Sequence, residues 1–335
     1  MVDNTLNQDS STQNQFLKKL LAFGRQNLNE ISLLIGIFVV GTVFSLRSDA
    51  FLTPSNLSNI LLASAFLGIV TWGETLVIII GEIDVSLGPG VAFAAVLVGW
   101  FTTTIGLPLP VSIILMLLTI TFTGFLGGYI RAHFNVPAFV TTLALWSIYD
   151  GFKQVLSNNI PISVDVDSIS FLANGDLLGI PYPVIIAFVM FLTFYYITKY
   201  TVYGRSIYSV GGNAKAAYAS GININWIRTS VFAITGFLSG MTGLLHVLRL
   251  GTATGQIANG LEFSAIAAVV IGGTSLSGGR GKMIGSLIGV IFITMIGNGL
   301  VLMGVNSQAQ NIVRGILILA AVLMNVVFKK ENKDI

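Results

Sequence analysis

Four carboxylates stand inside or beside stretches that are otherwise apolar. Glu74 follows Trp72-Gly73 in an aliphatic run, Glu82 and Asp84 lie in Gly81–Gly90 (GEIDVSLGPG), and Glu262 opens an Ala/Val-rich stretch. Acidic groups at membrane depth are costly, and they line substrate or ion paths or relay protons. For Glu74, a place along a passage stands beside a purely structural role. For Glu82 and Asp84, the alternative is a tight inner loop with solvated carboxylates. Glu262 stands at a helix start, where the helix dipole stabilises a carboxylate, so capping accounts for it. Asp150 and Lys153 are one helical turn apart and can neutralise each other. The chain has no Cys, and its two histidines, His133 and His246, are far apart with no ligand-spaced companions. A metal site, a thiol nucleophile and an intramembrane enzyme are therefore the least supported chemistries.

The elements that would hold these groups are membrane helices. Of 335 residues, 54% are hydrophobic and 9% are charged, against about 25% charged in a soluble domain. A surface that poor in charge belongs in lipid. Ten apolar segments follow: Ile31–Leu46, Leu57–Ile80, Gly88–Thr104, Leu109–Ile130, Val136–Leu156, Pro181–Thr198, Thr229–Leu248, the short Glu262–Gly272, Met283–Met303 and Gln308–Phe328. With the N-terminus cytoplasmic, 13 basic residues fall in inner segments and 2, Arg47 and Arg249, in outer ones. That is the asymmetry of the positive-inside rule, and one misplaced span in the middle would spoil it. The expected fold is an all-α integral membrane protein of about ten transmembrane helices with both termini cytoplasmic. Residues 1–28 form a polar cytoplasmic segment ending in Lys18, Lys19 and Arg25, and no cleaved signal peptide is expected. The membrane domain is 29–328, with an inner loop at 199–228 and an acidic outer loop at 157–180. Residues 329–335 are a cytoplasmic tail. The outer loop, with Asp165, Asp167 and Asp176, is read as a lid, a docking surface or a solvated loop.

Two glycine-rich interruptions predict broken helices, Gly81–Gly90 and Gly272–Gly281. Aligned without gaps they share Gly81/Gly272, Ser86/Ser277, Gly88/Gly279 and Gly90/Gly281, which hints at an internal repeat. The second contains Leu276-Ser277-Gly278-Gly279-Arg280 and Gly281-Lys282, fragments that mimic nucleotide-binding motifs. A phosphate loop needs Gly at position 276 and Ser or Thr at 283; these are Leu and Met. The polar stretch Tyr203–Ile222 carries Lys215-Ala216-Ala217, with Gly221 placed to close a short helix. A short, small-faced helix between spans suits mechanical contact with a soluble partner; an ordinary loop with one helical turn is the alternative.

The chain resembles, from about residue 30 to residue 328, the permease subunits of bacterial ABC importers for simple sugars, the ribose, xylose and galactose permease family. The resemblance is carried by Gly73–Ile79 (GETLVII), Ile83–Gly88 (IDVSLG), Val136–Leu143 (VPAFVTTL), Gly211–Ala217 (GGNAKAA) and Ala265–Leu276 (AIAAVVIGGTSL). It implies a multi-pass protein of the bacterial cell membrane, paired with a second permease copy as homodimer or heterodimer. ABC ATPase subunits would dock below, and an extracellular sugar-binding protein would deliver cargo. It implies no cofactor in this chain, ATP being bound by the partners, and no nucleic-acid partner. Gly211, Gly212, Asn213, Lys215, Ala216, Ala217 and Gly221 match the ATPase-coupling loop of such importers, with Lys215 where the family pattern has Glu. Glu74, Glu82, Asp84, Ser86 and Gly88 become candidates for the passage or the broken helix. The family usually has Gly-Gly before Ile-Asp-Leu-Ser; here Gly81-Glu82 and Val85 stand there. Asp150 stands where a basic residue is usual. The competing reading is an ion-coupled secondary transporter using the membrane carboxylates. Nucleosides or autoinducer-type sugar derivatives remain alternative cargoes.

Overall fold

A computed structural model describes residues 28–331, with the side chains of 28, 29, 321 and 324–331 left aside. The polar N-terminal segment with Lys18, Lys19 and Arg25, and the end of the tail with Lys333, lie outside the described residues. Each of the ten apolar segments contains a helix. They are α1 (Leu28–Arg47), α2 (Pro54–Ile79), α3 (Leu87–Gly99, continued by a π turn, Trp100–Thr104), α4 (Leu109–Phe134), α5 (Ala138–Ser157), α7 (Tyr182–Tyr200), α10 (Ile224–Leu250), α11 (Leu261–Ile271), α12 (Met283–Leu302) and α13 (Ser307–Glu331). Short helices α6 (Phe171–Asn174), α8 (Val202–Gly212) and α9 (Ala214–Ala219) sit in the two long connections. Among the described residues, seven helices are long and apolar enough to cross a membrane: α1, α2, α3 with its π turn, α4, α7, α10 and α12.

Helices α2, α3 and α10 form the centre. Their most apolar windows are 78%, 72% and 67% buried, whereas that of α1 is 0% buried. The outer helices turn large apolar side chains outward, as Phe38, Leu46, Leu118, Phe134 and Val155 do. This apolar exterior is what composition demands of a chain surrounded by lipid. Helix α4 lies along α10 through glycines. A Cβ at Gly124 would stand 2.5 Å from the Phe232 carbonyl, and one at Gly236 2.5 Å from the Ile120 carbonyl. Small residues let the two backbones touch where larger side chains would hold them apart.

The 157–180 connection is a folded cap. Strand β1 (Ile162–Ser163) pairs antiparallel with β4 (Thr252–Ala253), and β2 (Asp176–Leu177) with β3 (Ile180–Pro181). Its own Val164, Val166 and Ala173 are buried, packing with Phe93, Val247 and Leu248 of the bundle. The Asn174 amide donates to the Leu248 carbonyl at 3.2 Å, tying the cap to the end of α10. Asp165, Asp167 and Asp176 remain exposed, so the acidic face points away from the bundle.

Candidate functional site

Both glycine breaks are present, but the first is shorter than Gly81–Gly90: Gly88, Pro89 and Gly90 form the first turn of α3 (Leu87–Gly99), where the amide a proline lacks would have no helical partner. The two breaks end their helices in the same way. After α2, the amide of Gly81 donates to the Ile78 carbonyl (3.0 Å) and that of Glu82 to Val77 (3.0 Å). After α11, the amide of Gly273 donates to Val270 (3.0 Å) and that of Thr274 to Val269 (3.2 Å). Each is a Schellman closure with a glycine at positive φ, +81° at Gly81 and +86° at Gly273. The equivalence is therefore Gly81 with Gly273. The ungapped alignment on Gly272 was off by one residue, because glycine identities cannot tell a left-handed glycine from a helical one; Gly272 has φ −62°. In the corrected register Val77 matches Val269 and Ile79 matches Ile271, whereas Asp84 falls opposite Leu276.

The two breaks meet, and α8 seals them. The Gly279 amide donates to the Ile79 carbonyl at 2.8 Å. Gly211, near the end of α8, lies so close that a Cβ there would come 1.8 Å from the Ile79 oxygen and 2.7 Å from the Gly279 nitrogen. A Cβ on Gly278 would meet both the Gly211 oxygen and the Gly81 nitrogen at 2.8 Å. The Tyr208 hydroxyl donates to the Gly281 carbonyl at 2.9 Å, and burial pushes this phenol's pKa up, so it remains a donor at neutral pH.

Beyond Gly212 the chain turns at Asn213, whose side chain accepts from the Ala216 amide at 3.1 Å and caps α9. Ser220 follows, and Gly221 at φ +83° closes the helix; the Ile222 amide donates to the Ala217 carbonyl at 3.0 Å. The coupling candidates divide here. Ala217 is buried against the bundle, whereas Lys215 and Ala216 face outward beside Tyr218, which is 74% exposed. Tyr218 was not singled out from the sequence. Its signal was an aromatic beside the alanine pair in a polar loop.

The carboxylates part company. Glu82 carries an ion triad: Arg131 Nε donates to its Oε1 at 2.8 Å, and Arg228 Nε stands 3.4 Å from the same oxygen. The two arginines come from the last turn of α4 and the start of α10, so Glu82 ties three segments together below the break. Asp84 braces the extended segment between α2 and α3. Its Oδ1 accepts from the Ser86 amide (2.8 Å) and hydroxyl (2.6 Å), and its Oδ2 from the Thr235 hydroxyl of α10 (3.0 Å). Glu74 is fully buried; its Oε1 lies 3.4 Å from the Asp84 amide, and its Oε2 has no partner. Asp84, Ser86 and Thr235 border a cavity of only about 10 Å³ with Tyr149 and Ser239. That space is at the lower limit for one water.

Gly88 faces Glu262 at the start of α11; a Cβ on Gly88 would collide with its Oε2. Capping describes only part of this residue, since Trp146 Nε1 approaches its Oε1 at 3.4 Å and Oε2 is unpartnered. Asp150 and Lys153 do pair, at 2.7 Å. Among the described residues no group of acidic, His or Cys side chains could hold a metal ion. The arginine partners and Thr235 were invisible as contacts in the sequence, being 49, 146 and 151 residues from the groups they bind.

Residues 56–322 match the family described as branched-chain amino acid transport system / permease component. The chain belongs to this ABC permease family. The permease is 45% identical to the probable ABC transporter permease protein YphD of Escherichia coli (strain K12), over 93% of this chain and 94% of that protein. It is 36% identical to the ribose import permease protein RbsC of Bacillus subtilis (strain 168), over 87% and 91%. It is 30% identical to the xylose transport system permease protein XylH of Haemophilus influenzae, over 91% and 98%. No solved structure matches it. As a permease component, the chain is a transporter subunit, in agreement with its lack of a phosphate-loop sequence.

Proposed function

We propose that the permease forms the membrane passage of an ATP-driven importer of a monosaccharide such as ribose, and that α8–α9 transmits the work of separate ATPase subunits. The chain would span the bacterial cell membrane about ten times with both termini cytoplasmic, beside a second permease copy and below an extracellular sugar-binding protein. The observation that carries the coupling role is the seat of Gly211 on both helix breaks. A push on α9 would reach the two interrupted helices through backbone contacts, with no compliant side chains between. Sugar as cargo is supported by the names of relatives that import ribose or transport xylose.

The test is a gentle extraction of the tagged permease from its own membranes, followed by uptake in proteoliposomes. Co-purification of an ATPase and ATP-dependent uptake of labelled ribose, xylose or arabinose is the expected result. The unpartnered Glu74 oxygen favours one second reading, an ion-coupled transporter. Recovery of the permease alone, with uptake that needs an ion gradient and no ATP, would establish that reading instead.

A further inference from the structure

Helix α5 is 20 residues long, yet it is absent from the seven helices apolar enough to cross lipid. The reason is a polar stripe near its C-terminal end. Asp150, Lys153 and Gln154 line a surface well of about 230 Å³ between α5 and the 254–259 loop, and Asn159, Gln256 and Asn259 stand exposed around it. Its named lining contains no aliphatic or aromatic side chain. Its volume lies below the range of roughly 300–1,000 Å³ typical of drug-sized ligands, which suits a single sugar ring.

The chemistry of the lining is specific. Lys153, 7% exposed, holds Asp150 at 2.7 Å, and Gln154 Nε2 donates to the other Asp150 oxygen at 2.6 Å. The one charge of each sign is therefore cancelled within the wall. Gln154 Oε1 and the side-chain amides of Asn159 and Gln256 have no hydrogen-bond partner among the described residues. A neutral well rich in amides offers donors and acceptors in equal measure, as vicinal hydroxyls require. A cation or an anion would find no net charge here, and a branched aliphatic side chain no apolar wall.

We propose that this well is a subsite for the cargo at the cap end of the bundle, binding one neutral, hydroxyl-rich ring before it enters the passage. The proposal rests on the sugar reading above. Because the chain contains no Cys, single thiols can report on the well directly. Asn159→Cys and Gln256→Cys, each in the full-length permease in nanodiscs, are labelled with a maleimide in the presence of D-ribose, D-xylose or L-arabinose. Leu178→Cys on the cap, a position 95% exposed, is the control. A sugar that the importer takes up slows labelling in the well about threefold at twice its dissociation constant and leaves Leu178→Cys unchanged. Adding Gln154→Ala raises the half-protecting concentration about tenfold, the loss of roughly one hydrogen bond. Uptake of a sugar that protects neither thiol overturns the subsite alone. Uptake of none of the three by the parent complex overturns the sugar reading, and the subsite with it.

Discussion

The amide of Gly279 donates to the carbonyl of Ile79 at 2.8 Å. These residues are 200 positions apart. Through this bond the second helix break hangs from the last residue of α2, just before the first break begins. Gly211 closes over the same carbonyl from the third side. A single oxygen thus marks where two interrupted helices and the loop assigned to coupling converge.

Gly211 and Gly212 separate this contact from general flexibility. Gly211→Ala places a methyl group against backbone atoms that have nowhere to go, at about 1–3 kcal/mol. Lower melting temperature and reduced uptake are expected. Gly212→Ala meets only Gly279 Cα at 4.0 Å and leaves both at the parent level. Equal behaviour of the two variants would argue against a tight seat at Gly211.

Ala216 and Ala217 are expected to fail for different reasons. Ala216→Trp projects outward, so the permease inserts and melts as the parent does but no longer retains its ATPase. Ala217→Trp forces a large ring into a buried site and lowers the melting temperature as well. Tyr218→Ala weakens ATPase retention without affecting melting. Full retention with both Ala216→Trp and Tyr218→Ala would remove this face from the coupling assignment.

Glu82 is expected to act through stability. Glu82→Gln leaves Arg131 and Arg228 close together without their counter-ion, a loss on the order of 3 kcal/mol. Adding Arg228→Gln relieves the repulsion and restores part of the loss. Thermal unfolding in detergent reads both steps. No recovery in the double variant would show that Glu82 matters for something other than its arginines.

Asp84 is expected to act as a brace. Asp84→Ala strands the Ser86 amide and hydroxyl and the Thr235 hydroxyl, at roughly 1 kcal/mol or more each, and uptake falls sharply. Asp84→Asn keeps an acceptor oxygen and is milder, with Thr235→Val reproducing part of its defect. If Asp84→Asn were as damaging as Asp84→Ala, the negative charge itself would be required, in line with an ion-coupled path.

Much of this was readable from composition and pattern. Sparse charge and long apolar runs define the helices, because lipid offers no other way to satisfy a backbone. Gly81 and the Gly272–Gly281 cluster mark where helices stop, and Pro89 lies in the first turn of the next one, because these residues act on their own local backbone. Gly221 closes α9 for the same local reason. The Asp150–Lys153 pair was equally plain, since three residues along a helix are neighbours by geometry.

What only the tertiary structure decided is which distant groups share a space. Glu82, Asp84 and Glu74 look alike in sequence: three acids near one break. Folding gives Glu82 two arginines, gives Asp84 a hydroxyl from α10, and leaves one Glu74 oxygen with nothing. The repeat register likewise needed φ angles, since a glycine's letter is the same in either hand. Local rules govern where a helix starts and stops. A side chain's partner depends on how the helices pack, and that is a property of the whole bundle.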